Sequence, residues 1–370
     1  MRAASRGGPG AAGALRVRGV ALPSEEAAEF WITEGVLTCE PVRDATTVVD
    51  GGWLLPGLVD AHTHPGAERP GDPLDGRLLR RHGREHLAAG VTLLRVPGSA
   101  DRLPAWFGTE PDQPRVVSAG HWLGLPGMFY EGWARQVGQA ELAHAAVEEA
   151  LASGGWCKVY ADWVVDEKGL DAPPLSADLL GDLTRRVHAV GGRVAVHAQT
   201  AEGARAAVEA RVDSLEHGLG LDTALLDRMA EQKTALVPTF TVWATFEEVA
   251  RVSGSDRFRD WFRSAHARLG PLVAAAYDAG VTVLAGTDSY GTPELPHGTV
   301  AGEVRLLATA SMPPEAAVGA ASWTARSFLG FPGLEPGAPA DLVAYDRDPR
   351  TDLSVLDSPM RVIHRGRVVR

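Results

Sequence analysis

This 370-residue chain has no asparagine, and cysteine and lysine are also among its scarce residues. Only Cys39 and Cys157 occur, so no disulfide framework carries the fold, and neither is assigned a redox role. No apolar run reaches membrane-spanning length without charge or turn residues, which excludes a transmembrane helix from the reading. Positive charge is in deficit too: a formal net charge of -11 argues against nucleic acid or an anionic membrane as the main partner and leaves a small-molecule substrate, with a homo-oligomer still open. Residues 1–13, rich in Gly and Ala, lack the apolar core of a secretory signal, so a disordered tail and a cytoplasmic protein are expected.

What the chain does have is a rhythm. Apolar runs ending in polar residues recur about every 30 to 40 positions, the spacing of βα units. Eight are read as strands: Gly57 to Ala61, Val91 to Val96, Arg115 to Ser118, Trp156 to Ala161, Arg193 to His197, Asp213 to Glu216, Ala235 to Phe240 and Val281 to Ala285. Helical patterns separate them, among them Gln139 to Ser153, Ser176 to Val190, Ala201 to Ala210, Asp222 to Glu231 and Phe258 to Ala279. Ser176 reads as an N-cap, and Gly191 and Gly280 stand where helices stop. Eight units predict an α/β fold, a TIM-like (β/α)8 barrel over residues 56–333 with its chemistry at the C-terminal strand ends. Residues 14–55 and 334–370 alternate as short strands and are expected to pair into one small β-sandwich built from both chain ends, entered through the turn-rich Gly333 to Pro339.

The unusual polar residues collect on that rim. His62 and His64 flank Thr63 at the end of the first strand, and residues i and i+2 of a strand point the same way, so both imidazoles could reach one metal ion. His197 closes the fifth strand, His217 follows the sixth and Asp288 follows the eighth. Lys158 stands inside the apolar run Trp156-Cys157-Lys158-Val159-Tyr160, in a chain with only two other lysines, Lys168 and Lys233, among 36 Lys and Arg residues. Arginine serves elsewhere but offers no primary amine. A desolvated lysine amine near cations can lose its proton, react with carbon dioxide and become a carbamate with two oxygen ligands.

The segments Pro56-Gly57-Leu58-Val59-Asp60-Ala61-His62-Thr63-His64, Trp156-Cys157-Lys158-Val159, Val196-His197-Ala198, Ser214-Leu215-Glu216-His217-Gly218 and Gly286-Thr287-Asp288-Ser289 resemble, in order, those of the amidohydrolase superfamily. The likeness is to its binuclear, carbamylated-lysine branch and to imidazolonepropionase-related and Xaa-Pro dipeptidase-like hydrolases. It implies two divalent metal ions, zinc by donor type: His62, His64 and Asp288 on one, His197 and His217 on the other, and the carbon dioxide-derived carbamate of Lys158 between them. Asp288 is then the acid/base. Two departures stand out. The mononuclear deaminases carry His-x-x-Glu after the fifth strand, where this chain has Ala198, Gln199 and Thr200 after His197. Many dipeptidase-like relatives carry a second histidine where Gln199 stands.

Tyr160 shares strand parity with Lys158, so its hydroxyl is expected to point into the barrel mouth, either to reach a substrate carbonyl or oxyanion or to cap the barrel core. His121 and His297 are further substrate candidates on rim loops, and Trp122, Trp133 and Trp163 could form an apolar wall. The function expected is hydrolysis of a C-N bond, amide or cyclic amide, in a dipeptide, N-acyl amino acid or hydantoin-like ring. A lactonase, esterase or phosphoesterase on the same centre, or a mononuclear deaminase-like enzyme, is the alternative, and a noncatalytic scaffold the remote one.

Overall fold

The computed structural model describes residues 13–69, 72–130 and 132–370; apart from Gly13, the tail expected at 1–13 lies outside them. The chain opens with β1 (Leu15–Ala21), β2 (Glu26–Thr33), β3 (Val36–Thr38) and β4 (Thr46–Pro56). Barrel positions follow as β5 (Leu58–Asp60), β6 (Val91–Val96), β7 (Arg115–Ser118), β8 (Trp122–Gly124), a short β9 (Arg135–Gln136), β10 (Trp156–Tyr160), β11 (Arg193–Ala198), β12 (Ser214–His217) and β13 (Ala235–Val237). β14 (Leu342–Tyr345), β15 (Arg361–His364) and β16 (Arg367–Val368) end the chain.

The two chain ends meet in one sheet of seven strands, ordered β16-β15-β14-β4-β1-β2-β3. It folds over on itself: Leu37 N donates to Ala338 O at 2.9 Å, and a Cβ on Gly366 would lie 2.5 Å from Gly35 Cα. The folded sheet encloses its own apolar cluster around Val17, Phe30, Ile32, Leu54, Leu342 and Ile363. β4 runs almost directly into β5, so the strand carrying His62 and His64 grows out of this sheet.

In the barrel, β5-β6-β7 form one parallel sheet and β13-β12-β11-β10-β8-β9 another. The third position is split between β7, which pairs with β6, and β8, which pairs with β10. The eighth position is a correction to the expected strand at Val281 to Ala285. It is extended but not a regular strand, bonded to Leu236 on one side (Leu284 N to Leu236 O, 3.0 Å) and to the first strand on the other (Ala61 N to Ala285 O, 2.8 Å). The seventh strand stops at Val237, short of Phe240. Pro238 has no N–H to continue the ladder, and Thr239 turns left-handed at φ 53° to start α6.

Helices α1 (Gly76–Ala88), α2 (Gln139–Ala152), α3 (Ala177–Ala189), α4 (Ala201–Glu209), α5 (Leu226–Gln232), α6 (Phe240–Val252), α7 (Asp256–Asp278) and α8 (Val300–Thr309) pack outside. Ser176 caps α3 by accepting from Leu179 N, as its sequence position implied. Parallel strands buried on both faces sort their side chains by parity. In β10, Cys157 and Val159 enter the barrel–helix core, while Trp156, Lys158 and Tyr160 rise through the barrel interior from floor to mouth. No helix among the described residues is long and apolar enough to cross a membrane.

Asp341, buried just before β14, joins sheet to barrel. It accepts from Arg115 of β7, lies 3.1 Å from His364 Nδ1 and accepts from Arg365 N at 2.8 Å. Burial raises its carboxyl's pKa, but the His364 and Arg115 contacts win and hold it well below the usual carboxylate range. The folded pKa is therefore under the unfolded one. The stabilisation is complete above about pH 4 and drains away as pH falls toward the folded pKa. Urea unfolding from pH 6 to 2.5 should show the wild type losing stability steeply below pH 4 and Asp341→Asn starting about 3 kcal/mol weaker with a shallower acid slope. Parallel slopes would deny Asp341 this role.

Candidate active site

Three of the four rim histidines are aimed by a hydrogen bond to one ring nitrogen. His62 Nδ1 donates to Glu216 Oε2 at 2.7 Å and His64 Nδ1 to the Gly98 carbonyl at 2.9 Å, which turns both Nε2 atoms toward Asp288. Asp288 Oδ1 lies 3.1 Å from His64 Nε2 and 3.5 Å from His62 Nε2. His217 Nδ1 pairs with Thr239 Oγ1 at 2.8 Å. His197 Nε2 is buried without a hydrogen-bond partner among the described residues, and so is Asp288 Oδ1. The His197 and His217 rings approach to 4.5 Å, and those of His62 and His217 to 5.2 Å.

Several local devices hold this geometry. His217, Thr239 and Asp288 all have positive φ, at 70°, 53° and 54°, a conformation that costs non-glycine residues of order 1–3 kcal/mol and recurs where a site dictates the backbone. Gly286 is required for closeness, since a Cβ there would stand 2.6 Å from His62 Cβ. Asp60 accepts from Thr287 Oγ1 at 2.7 Å and Thr287 N at 3.0 Å, tying the Asp288 turn to the first strand. Arg95, pointing inward from β6, donates to Glu216, which in turn holds His62.

The electrostatics favour cation ligands. Burial, the charge of Lys158 and neighbouring imidazoles push His62 and His217 well below the ordinary histidine pKa, and burial with Lys158 does the same for His197, keeping nitrogen lone pairs free. Lys158 is 1% exposed and forms no salt bridge among the described residues. Burial lowers its amine to about 8, with Glu216 opposing. Burial alone would raise the Glu216 carboxyl; Arg95 and Lys158 outweigh it and hold it below its usual range.

A divalent cation fits these residues. Ligand atoms of His62, His64 and Asp288 lie within 4.8 Å of one another, the one such group among the described residues, and imidazole with carboxylate is a zinc-type donor set. The orphaned Asp288 Oδ1 and His197 Nε2 are the buried atoms such ions would satisfy.

Tyr160 lines the cleft over these groups, as its parity implied, its ring 4.5 Å from His197. Trp163 lines it too, whereas Trp122 and Trp133 stack on one another at 5.0 Å behind it. The other substrate candidates are not brought to the cleft. His121 turns to Glu149, Nδ1 3.2 Å from Oε2, and His297 sits behind the first strand end, its Nδ1 3.2 Å from Thr63 Oγ1 and 3.1 Å from His86 Nε2. A loop histidine's direction depends on neighbours distant in sequence, which its flanking glycines do not reveal. Glu216, quoted in the sequence only as part of a motif, and Arg95, Thr239, Trp243 and Tyr290 are site residues that the sequence did not single out. Arg95 carried a usable signal, a charge inside the apolar run Val91–Val96, the same anomaly that marked Lys158.

A sequence model of the Amidohydrolase family matches residues 53–369. The chain is 40% identical over 356 residues to uncharacterized proteins of Mycobacterium bovis and Mycobacterium tuberculosis, with 95% of each chain covered. Among solved structures it is similar to a Xaa-Pro dipeptidase with bound methionine in the active site, at TM-score 0.81 and 23% identity over 96% of this chain and 99% of that one. It is also similar to A. niger ochratoxinase, at TM-score 0.79 and 21% identity over 96% and 95%. At these identities the structural likeness is one of fold.

Proposed function

The chain belongs to the amidohydrolase family, and from that premise we propose a hydrolase of carbon–nitrogen bonds built on a two-cation centre. His62, His64 and Asp288 would hold one divalent ion, zinc by donor chemistry, and His197 and His217 the second. Lys158 would bridge them as a carbamate: the ammonium gives up one proton, and the neutral amine nitrogen then bonds to the carbon of carbon dioxide and releases a second, so that a cation becomes an anion with two oxygen donors. The observation that carries this reading is Lys158 itself, an amine buried in mid-barrel near His62, His197 and His217 with no carboxylate in salt-bridge contact among the described residues. Left as ammonium it is a buried charge that no carboxylate contacts among the described residues; as carbamate it becomes a ligand.

Bound cations of this kind acidify water and polarise a carbonyl. The chain's own groups do the rest. Asp288 takes a proton from the attacking water and delivers it to the departing nitrogen. Tyr160 offers its hydroxyl to the substrate's carbonyl oxygen. Glu216, fixed by Arg95, keeps His62 in the tautomer that leaves Nε2 free. Esters, lactones and phosphoesters fall within the same chemistry and remain secondary substrates.

A one-cation centre is the second reading, favoured by His62, His64 and Asp288 being the one compact three-residue group among the described residues. Elemental mass spectrometry of protein purified without chelators, with and without bicarbonate, separates the two. Two metals per chain, with occupancy raised by bicarbonate, is the expected result; one metal indifferent to bicarbonate would overturn the bridged centre.

A further inference from the structure

The cleft over the histidines has a volume of about 760 Å³, open mouth included. Its walls are aromatic and rise from the ligands themselves. Beside His197, Tyr160 stacks on Phe129 at 4.6 Å and Trp163 meets Phe129 edge-on at 5.0 Å. Beside His217, Trp243 lies at 5.3 Å and carries Phe246 at 5.0 Å. Over His64, Tyr290 stacks at 4.9 Å. Rings therefore surround the place of the scissile bond on several sides.

The charge on this lining is of one sign. Its ionisable groups apart from histidine and tyrosine are the carboxylates of Asp288 and Glu68, and no Lys or Arg is among the described residues that line it. The nearby cations Arg69 and Arg81 belong to a separate surface cleft past Glu68 and Thr292, and Arg81 is paired with Glu68. A substrate carboxylate reaching along these walls, away from the ions proposed for the histidines, would exchange its hydration for ring faces, whose quadrupole is negative, and would find no cationic side chain among the described lining residues.

We infer that the enzyme selects uncharged substrates with apolar, preferably aromatic, groups on both sides of the scissile bond, and that it discriminates against a free carboxylate on either side. This deepens the hydrolytic reading above and rests on it. It moves the substrate class away from dipeptides and N-acyl amino acids, which the motifs alone suggested, toward neutral arylamides and related carbonyl–nitrogen compounds.

Phenylacetanilide and its two monocarboxylates, one on each ring, make a matched test on the metal-loaded enzyme, because the scissile bond stays the same. Each carboxylate should lower kcat/KM on the order of 100-fold. Either acid turning over as well as the parent would overturn the inference while leaving the hydrolytic reading intact. Binding of the same three compounds to metal-loaded Asp288→Asn, read by tryptophan fluorescence, works without turnover. Neutral-selective binding with no amide hydrolysed by the wild type would sink the hydrolytic reading and keep the cleft's selectivity. In Phe246→Arg, which introduces the missing cation, the gap between neutral and acid should narrow by about tenfold. An unchanged gap would show that the missing cation is not its cause.

Discussion

Replacing Lys158 with methionine is expected to empty the centre of metal and cut amide hydrolysis by at least about a thousandfold, while making the metal-free protein more resistant to urea. The two effects point in opposite directions for one reason. Lys158 is 1% exposed in mid-barrel and lacks a carboxylate in salt-bridge contact among the described residues. As an amine in the metal-free fold it is a cost, and an unbranched apolar side chain of similar length removes that cost without leaving a cavity, a gain of about 1–3 kcal/mol. In the loaded enzyme the same position would supply both bridging oxygens, which a thioether cannot. A merely structural lysine would give the reverse pattern, a weaker apo protein that still binds metal. Full metal content with near wild-type activity in Lys158→Met would end the carbamate proposal.

Asp288→Asn should leave the fold and most of the first metal's occupancy in place and lower kcat by about 10²–10⁴, the range of a lost general acid–base group. Asn keeps an oxygen toward His62 and His64 but cannot accept the water's proton and return it. The leaving group provides the diagnostic. An alkylamide nitrogen must be protonated to depart, whereas a nitrophenolate leaves unaided. The Asp288→Asn deficit should therefore be largest for alkylamides and shrink for nitrophenyl esters of the same acyl group. An equal deficit on both would confine Asp288 to metal binding, and activity within tenfold of wild type would remove it from the mechanism.

Much of the architecture was legible because the barrel strands are buried on both faces. Val91–Val96, buried throughout, forms a strand with the bounds read from sequence, and so does Arg115–Ser118, although its residues are only half-buried. Where burial and regular pairing part company, the reading overran. Val281 to Ala285 is mostly apolar and enclosed, yet it makes one isolated bridge around Leu236 and one bond to Ala61 rather than a ladder. Pro238 should have shortened the seventh strand, since a residue without an N–H cannot serve a central one. At the chain ends, alternation announced strands, but the single seven-stranded sheet that folds over its own core depends on β4 pairing with nearby β1 on one side and, across most of the chain, with β14 on the other.

Local chemistry alone determined which donors this protein possesses and in what order: two histidines one residue apart at a strand end, a lone interior lysine, and a histidine or aspartate after three later strands. Strand parity is a short-range property, so it also placed Tyr160 and Lys158 on one face and Cys157 on the other. Only the closed tertiary structure decided what each donor leans on. His62 meets Glu216 across 154 positions and Arg95 meets Glu216 across 121, contacts that no window of sequence contains. The same holds for the cleft's walls. Phe129, Trp243 and Tyr290 come from three different loops or helices, and each is an unremarkable aromatic until the barrel brings them over the same four histidines. A side chain's identity is written locally, but its partner and its direction are set by the packing of strands far apart in the chain.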